Sequence, residues 1–220
     1  MCSRLCLSTS LDEIVSCFGV GATDGKARRR PHWNIGAGQI LPVIRWDAYQ
    51  QRRQLDPMRW GLVSAWAKNT MIVCSNIDVA DSESLIRRAE RRCLIPVDNF
   101  YEWRFADKQP FAVALASRRT MTLAGLWDMR ISPLGEWIKC FAILATGSIG
   151  LLAPLCRRMP VIIGPEDQGL WLGQEPAAVD RVMDLLKPCA QEQLAIWPID
   201  RRVSNIKNDD PSILKVGDNV

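Results

Sequence analysis

Between Asn99 and Ala145 the chain runs through four extended, apolar-rich segments separated by short polar stretches: Asn99–Arg104, Pro110–Ala116, Met121–Trp127 and Trp137–Ala145. β-Branched and aromatic side chains recur along them, and the intervening residues are turn formers. Connections this short leave no room for a crossover helix, so the segments are expected to pair antiparallel, as a meander.

Helical signals interrupt the strands without a regular strand–helix alternation. Ser10 followed by Glu13 is a capping box, predicting a short helix through Cys17 that ends near Gly19. Gly19 to Pro31 reads as a loop rich in Gly, Lys and Arg, suited to lying along a phosphate backbone. Pro57 to Val63 reads as a strand around Arg59-Trp60-Gly61-Leu62. Asp81 to Arg92 reads as an amphipathic helix with Ser82 or Ser84 as its cap, and Ala177 to Lys187 as a helix stopped by Pro188. This pattern points to an α+β class with a mainly antiparallel sheet. With 220 residues, 48% hydrophobic and 24% charged, the chain can bury one generous core, and no shift of composition marks a second domain.

No apolar run approaches the roughly 20 residues that span a bilayer, and Asp12 and Glu13 fall where a signal peptide would carry its apolar centre. A cytoplasmic protein is expected. Of its eight cysteines most lie in apolar strings such as MIVCSN and IKCFAIL, where cysteine behaves as a small buried hydrophobe. There is no CxxC pair, and the one histidine, His32, has no cysteine beside it, so free thiols, no metal and no cofactor are expected. Net charge is only +4, yet arginine supplies 21 of the 28 basic residues, often in pairs such as Arg87-Arg88 and Arg157-Arg158. Guanidinium forks suit phosphate oxygens, and nine tryptophans offer stacking surfaces. Composition alone fits nucleic-acid binding and a solvated basic face equally well.

Cys2 follows the initiator methionine. Its side chain is small enough for Met1 to be trimmed, which would leave a free α-amine and a thiol on one residue. That pair captures aldehydes: the amine forms an imine, and the sulfur then closes a five-membered thiazolidine. An α-amine titrates near about 7.7–8.0, so a useful fraction is neutral at physiological pH.

Four strings along the chain are informative together: Met1-Cys2-Ser3-Arg4; Met58-Arg59-Trp60-Gly61-Leu62 with Trp66-Ala67-Lys68; Arg92-Cys93-Leu94-Ile95-Pro96 followed by Phe100-Tyr101-Glu102-Trp103; and Leu152-Ala153-Pro154-Leu155-Cys156-Arg157-Arg158-Met159-Pro160. In order and spacing they resemble the SRAP family of SOS-response-associated peptidase-like proteins, as does the Asn205–Pro211 tail. The resemblance spans nearly the whole chain. It implies one α+β domain over residues 1–220, mainly antiparallel and barrel-like with flanking helices, whose positive groove holds single-stranded DNA. It also implies the chemistry: family members expose Cys2 by removing Met1 and form a thiazolidine with the ring-opened sugar of an abasic site, a covalent cap on the lesion. A monomer that meets no membrane and joins the nucleoid only when bound to DNA is the matching expectation.

Residue by residue, the resemblance makes Cys2 the nucleophile, Glu102 the catalytic glutamate, and Asn76 a hydrogen-bonding residue near the reacting centre. Arg4 and Arg158 match basic residues of the DNA groove, Trp66 and Trp103 groove or wall tryptophans, and Thr146 a threonine on the strand before the last string. The residues themselves are compatible with these roles. A protonated carboxyl supplies the proton that a departing carbinolamine hydroxyl needs, and burial beside Tyr101 and Trp103 would raise the pKa of Glu102 into the working range. Alternation places Phe100, Glu102 and Arg104 on one face of their strand, with Tyr101 and Trp103 on the other. Taken without the family, Glu102 also reads as a surface carboxylate paired to an arginine, and Asn76 as a turn residue.

The chain departs from the family pattern in two places that matter. Cys156 stands where a histidine is usual, as a small filler or as a thiol that Arg157 and Arg158 would drive toward thiolate, which joins it to the candidate catalytic set. Asp78 stands where an arginine is expected, two residues after Asn76, and would repel a phosphate there. Ser3 and Ser64 are lesser changes, from glycine and proline. These departures leave open a degenerate relative with at most non-covalent binding of single-stranded DNA. A thiol peptidase would have to recruit His32.

Overall fold

The computed structural model describes residues 3–21, 30–63, 72–131 and 135–215. Cys2, Ser64 and Trp66, singled out above, lie outside the described residues. The chain opens with β1 (Arg4–Leu7), α1 (Leu11–Phe18), β2 (His32–Gly36), β3 (Ile40–Asp47) and β4 (Arg52–Trp60). Short β5 (Leu62–Val63), β6 (Ile72–Cys74), β7 (Asn76–Asp78) and α2 (Glu83–Ile86) lead to β8 (Arg92–Val97), β9 (Asn99–Trp103), β10 (Pro110–Leu115), β11 (Met121–Ile131) and β12 (Trp137–Gly147). The last third holds β13 (Arg158–Pro160), β14 (Ile162–Ile163), α3 (Gln168–Leu172), α4 (Val179–Asp184) and β15 (Leu194–Pro198).

Strands β12, β4, β3, β8 and β11 are neighbours in that order, and β11 pairs back onto β12, which closes a barrel. A second sheet runs β15-β10-β9-β1-β2. The class is the expected α+β with mainly antiparallel, barrel-like sheet. The four segments predicted from Asn99 onward are strands, but they are two hairpins rather than one meander: β9 pairs β10 in the open sheet, and β11 pairs β12 in the barrel. β12 also runs parallel to β4 and to β7, pairings between segments far apart in sequence.

Local signals set the first helix. Ser10 Oγ accepts from the Glu13 backbone and the Glu13 carboxylate accepts from the Ser10 backbone, satisfying the opening donors of α1. Gly19 closes it in the left-handed region (φ 58°), which costs a side chain dearly and glycine nothing. The helix expected over Asp81 to Arg92 is instead the single turn α2, an extended Arg88 and a 3-10 turn over Ala89–Arg91. Arg92 is taken by the barrel: it opens β8, which pairs with β11, and its guanidinium stacks on Trp171. The helix predicted from Ala177 is α4, confined to Val179–Asp184.

Leu5, Phe100 and Val113 of the open sheet join Leu41, Met58, Trp60, Leu94, Phe141 and Ile143 of the barrel in one main core. A smaller core lies on the other face of the open sheet, where Cys6, Tyr101 and Ala112 meet Ile199, Val203 and Ile213 of the C-terminal segment. That segment is tied down by Asp209, which accepts from His32 Nδ1 (2.6 Å) and from the backbone N–H groups of Trp33 (2.6 Å) and Asn34 (3.0 Å). His32 is therefore engaged in holding β2 to the tail.

Asp98 anchors the start of the chain. Its Oδ2 accepts from the backbone of Ser8 (2.6 Å) and Thr9 (2.9 Å) and from Ser8 Oγ (2.8 Å), while Oδ1 accepts from the hydroxyls of Thr9 (2.6 Å) and Thr120 (3.0 Å). Asp98→Ala leaves these donors without their acceptor, and the expected cost is about 2–3 kcal/mol in urea denaturation. A loss below about 0.5 kcal/mol would show that water replaces the carboxylate without penalty.

Candidate active site

The open sheet brings the amino end of the chain to the FYEW strand. β1 pairs antiparallel with β9, Arg4 opposite Tyr101 and Leu5 opposite Phe100. Continued by one residue, this register sets Ser3 across from Glu102. On the far side of β9, Glu102 pairs with Phe111 of β10. Alternation turns Glu102 to the same face as Phe100, toward the main core, and Tyr101 and Trp103 toward the C-terminal segment.

Glu102 is only 5% exposed, and among the described residues its Oε1 has no hydrogen-bond partner. A carboxylate held this way loses hydration and receives little in return, so burial pushes its pKa up to about 7. Its surface-carboxylate reading is thereby excluded. The burial comes from the core face rather than from Tyr101 and Trp103. Arg104, one alternation further, is held by Asp107 (2.8 and 2.6 Å) and stacks on Phe111.

The last string folds back onto this point. Phe105 N, just past β9, donates to Pro154 O (3.2 Å). Cys156 follows, 2% exposed, its Sγ 3.7 Å from Ser148 Oγ and 3.8 Å from Leu152 O. Burial and then the neighbouring charge of Glu102 push the Cys156 thiol up to about 11. Of the two readings of Cys156, burial favours the small filler over a thiolate driven by Arg157 and Arg158. Glu102 and Cys156 nonetheless share one site, and Ser148, which no sequence signal marked, completes that contact.

β7, β12 and β13 form the adjoining wall. Asn76 lies opposite Ile143 and Asp78 opposite Ala145 on one side of β12, while Arg158 lies opposite Gly147 on the other. Asn76 is held where Ser75 O accepts from Trp60 Nε1 (2.9 Å) and from Ile143 N (3.0 Å), and its Nδ2 donates to Ser75 Oγ (3.1 Å). Asn76, Asp78 and Arg158 share one face of this wall. Thr146, paired with Met159, belongs to the other face. Asp78 does not stand alone, because its Oδ2 is 2.5 Å from an Arg158 terminal nitrogen.

The structure thus groups Glu102 with Cys156, and Asn76 with Arg158. Arg4 lies on the face of β1 turned to the C-terminal segment, its guanidinium near Gly36. Trp103 is on that same side, its Nε1 donating to Ser204 Oγ (3.3 Å).

Comparison with known proteins agrees with this architecture. A protein from Bacteroides thetaiotaomicron has a crystal structure that superposes with a TM-score of 0.81 at 20% identity, over 98% of this chain and all of that one. A phage-related protein from Bordetella bronchiseptica superposes at 0.68 and 21% identity, over 91% and 95% of the two chains. In sequence, the abasic site processing protein YoqW of Bacillus subtilis is 28% identical over 98% of this chain and 99% of its own length. The abasic site processing protein HMCES of Gallus gallus is 26% identical over 86% of this chain and 67% of its own. Residues 1–206 match the profile of the family described as SOS response associated peptidase (SRAP), and the chain belongs to that family.

Proposed function

We propose that this protein processes abasic sites in single-stranded DNA by covalent capture through Cys2, exposed by removal of Met1. The carrying observation is Glu102: a buried carboxyl poised near neutrality on the strand beside the amino end of the chain. The relatives named for abasic site processing support the substrate.

The reaction balances with one water released. The neutral α-amine adds to the C1′ aldehyde of the ring-opened sugar and gives a carbinolamine. Glu102 donates a proton to its hydroxyl, water leaves, and an iminium forms. The Cys2 thiol adds to the iminium carbon, its proton returns to the Glu102 carboxylate or to water, and the thiazolidine closes. In this reading Asn76 holds the sugar and Arg158 a phosphate, and Trp66 lines the strand's path.

Intact mass before and after incubation with an abasic single-stranded oligonucleotide tests this. The expected result is a protein lacking Met1 that gains the oligonucleotide mass less one water. Retained Met1, or no adduct from the trimmed protein, would establish the second reading, a relative that at most holds DNA non-covalently. The Asp78–Arg158 ion pair and the burial of Cys156 are the observations that favour it.

A further inference from the structure

Asp78 and Arg158 belong to strands on opposite flanks of β12, opposite Ala145 and Gly147, and their side chains meet. The carboxylate has a second fixed bond, since Asp78 Oδ1 accepts from Ala80 N (3.0 Å) and caps the 3-10 turn that follows β7. It is the better buried partner, its side chain 17% exposed against 43% for Arg158. A rigid carboxylate therefore occupies donors of the same guanidinium fork that a phosphate would engage, on the face that also carries Asn76.

We infer that Asp78 is a built-in competitor for the phosphate at Arg158, and so sets how tightly this protein holds DNA. The inference rests on the DNA reading above. A strand entering the site must displace the carboxylate from Arg158 and leave it beside a phosphate of like charge. Binding is then weaker and less dependent on salt than the count of arginines suggests. Capture depends correspondingly more on the covalent step than on prior docking.

Asp78→Asn is the informative variant: asparagine keeps an oxygen for the Ala80 cap but carries no charge. The measurement is fluorescence anisotropy with an undamaged single-stranded oligonucleotide across a salt series, for the wild type, Asp78→Asn, Arg158→Ala and the double variant. Asp78→Asn is expected to tighten binding about fivefold at low salt. It should also steepen the dependence of log K on log salt by about 0.7, the increment for one more neutralised phosphate on a single strand. Arg158→Ala is expected to weaken binding severalfold more in the Asp78→Asn background than in the wild type, because only there is the guanidinium free for phosphate.

Equal losses in the two backgrounds would overturn the inference, since Asp78 would then act as a distant charge and not as a competitor. An unchanged or weakened Asp78→Asn protein would overturn it as well while leaving the DNA reading intact. Failure of all four proteins to bind single-stranded DNA would overturn that reading and, with it, the inference.

Discussion

Cys2→Ala protein is expected to form no stable adduct with an abasic single-stranded oligonucleotide, a loss to below one hundredth of the wild-type yield, read by denaturing gel and intact mass. The ring needs an amine and a thiol on the same residue, and no internal cysteine offers a free α-amine. Five of the internal thiols are also held toward their protonated form. Burial pushes Cys6 up to about 12 and Cys156 up to about 11, and raises Cys93, Cys74 and Cys189. Since the thiolate is the nucleophile, none of these substitutes for residue 2.

The alanine variant keeps its α-amine and still reaches the imine, which water reverses. Borohydride should therefore trap it as a secondary amine, with the Schiff-base carbon reduced and the hydride supplied by the reagent. Adduct with reductant and none without is the expected pair of results. Adduct formation by Cys2→Ala without reductant would identify a different nucleophile and overturn the mechanism. Cys156→Ala, by contrast, is expected to retain adduct formation, because a buried thiol near pKa 11 neither attacks nor shuttles protons at pH 7.

What could be read from the chain alone follows from the range of the interactions involved. The capping box at Ser10 and the stop at Gly19 are satisfied within a few residues, so α1 is legible and the structure has it from Leu11 to Phe18. Alternation around Glu102 is equally local, and it places Trp103 on the reverse face without any coordinates. Asp81 to Arg92 misled because its helical pattern competes with a barrel strand whose partner, β11, lies some thirty residues on. The parallel pairing of β7 with β12 leaves no trace in local pattern, yet it brings Asp78 to Arg158 across eighty residues of sequence. The surroundings of Cys156 were illegible for a related reason: the adjacent Arg157 and Arg158 do not reveal in sequence that the thiol is buried beside Glu102.

Glu102→Gln is expected to slow adduct formation about 10²–10³-fold, the usual worth of a positioned general acid. It should also change the pH profile. In the wild type the reaction needs Glu102 protonated, with its pKa near 7, and the α-amine neutral, with an ordinary value near about 7.7–8.0. The rate should trace a bell centred between those values. The glutamine variant lacks the descending limb, so its residual rate should rise with the amine's titration and then level. A bell of unchanged shape in the variant would remove Glu102 from the proton transfer.

Stability should move the other way. Because burial raises the folded pKa of Glu102 from 4.5 to about 7, the native state binds more protons than the unfolded chain between those values. Its contribution is most favourable below pH 4.5 and is lost as pH rises through 7. At pH 8 the wild type holds a buried charge with an unsatisfied oxygen, at a cost of up to about 3 kcal/mol. Glu102→Gln should therefore match the wild type at pH 4 and exceed it by about 1–3 kcal/mol at pH 8, read from denaturant midpoints at each pH. A variant slower in capture yet more stable at high pH would show that the fold tolerates this strained carboxyl for its chemistry, whereas equal stability at both pH values would mean that solvent already reaches Glu102.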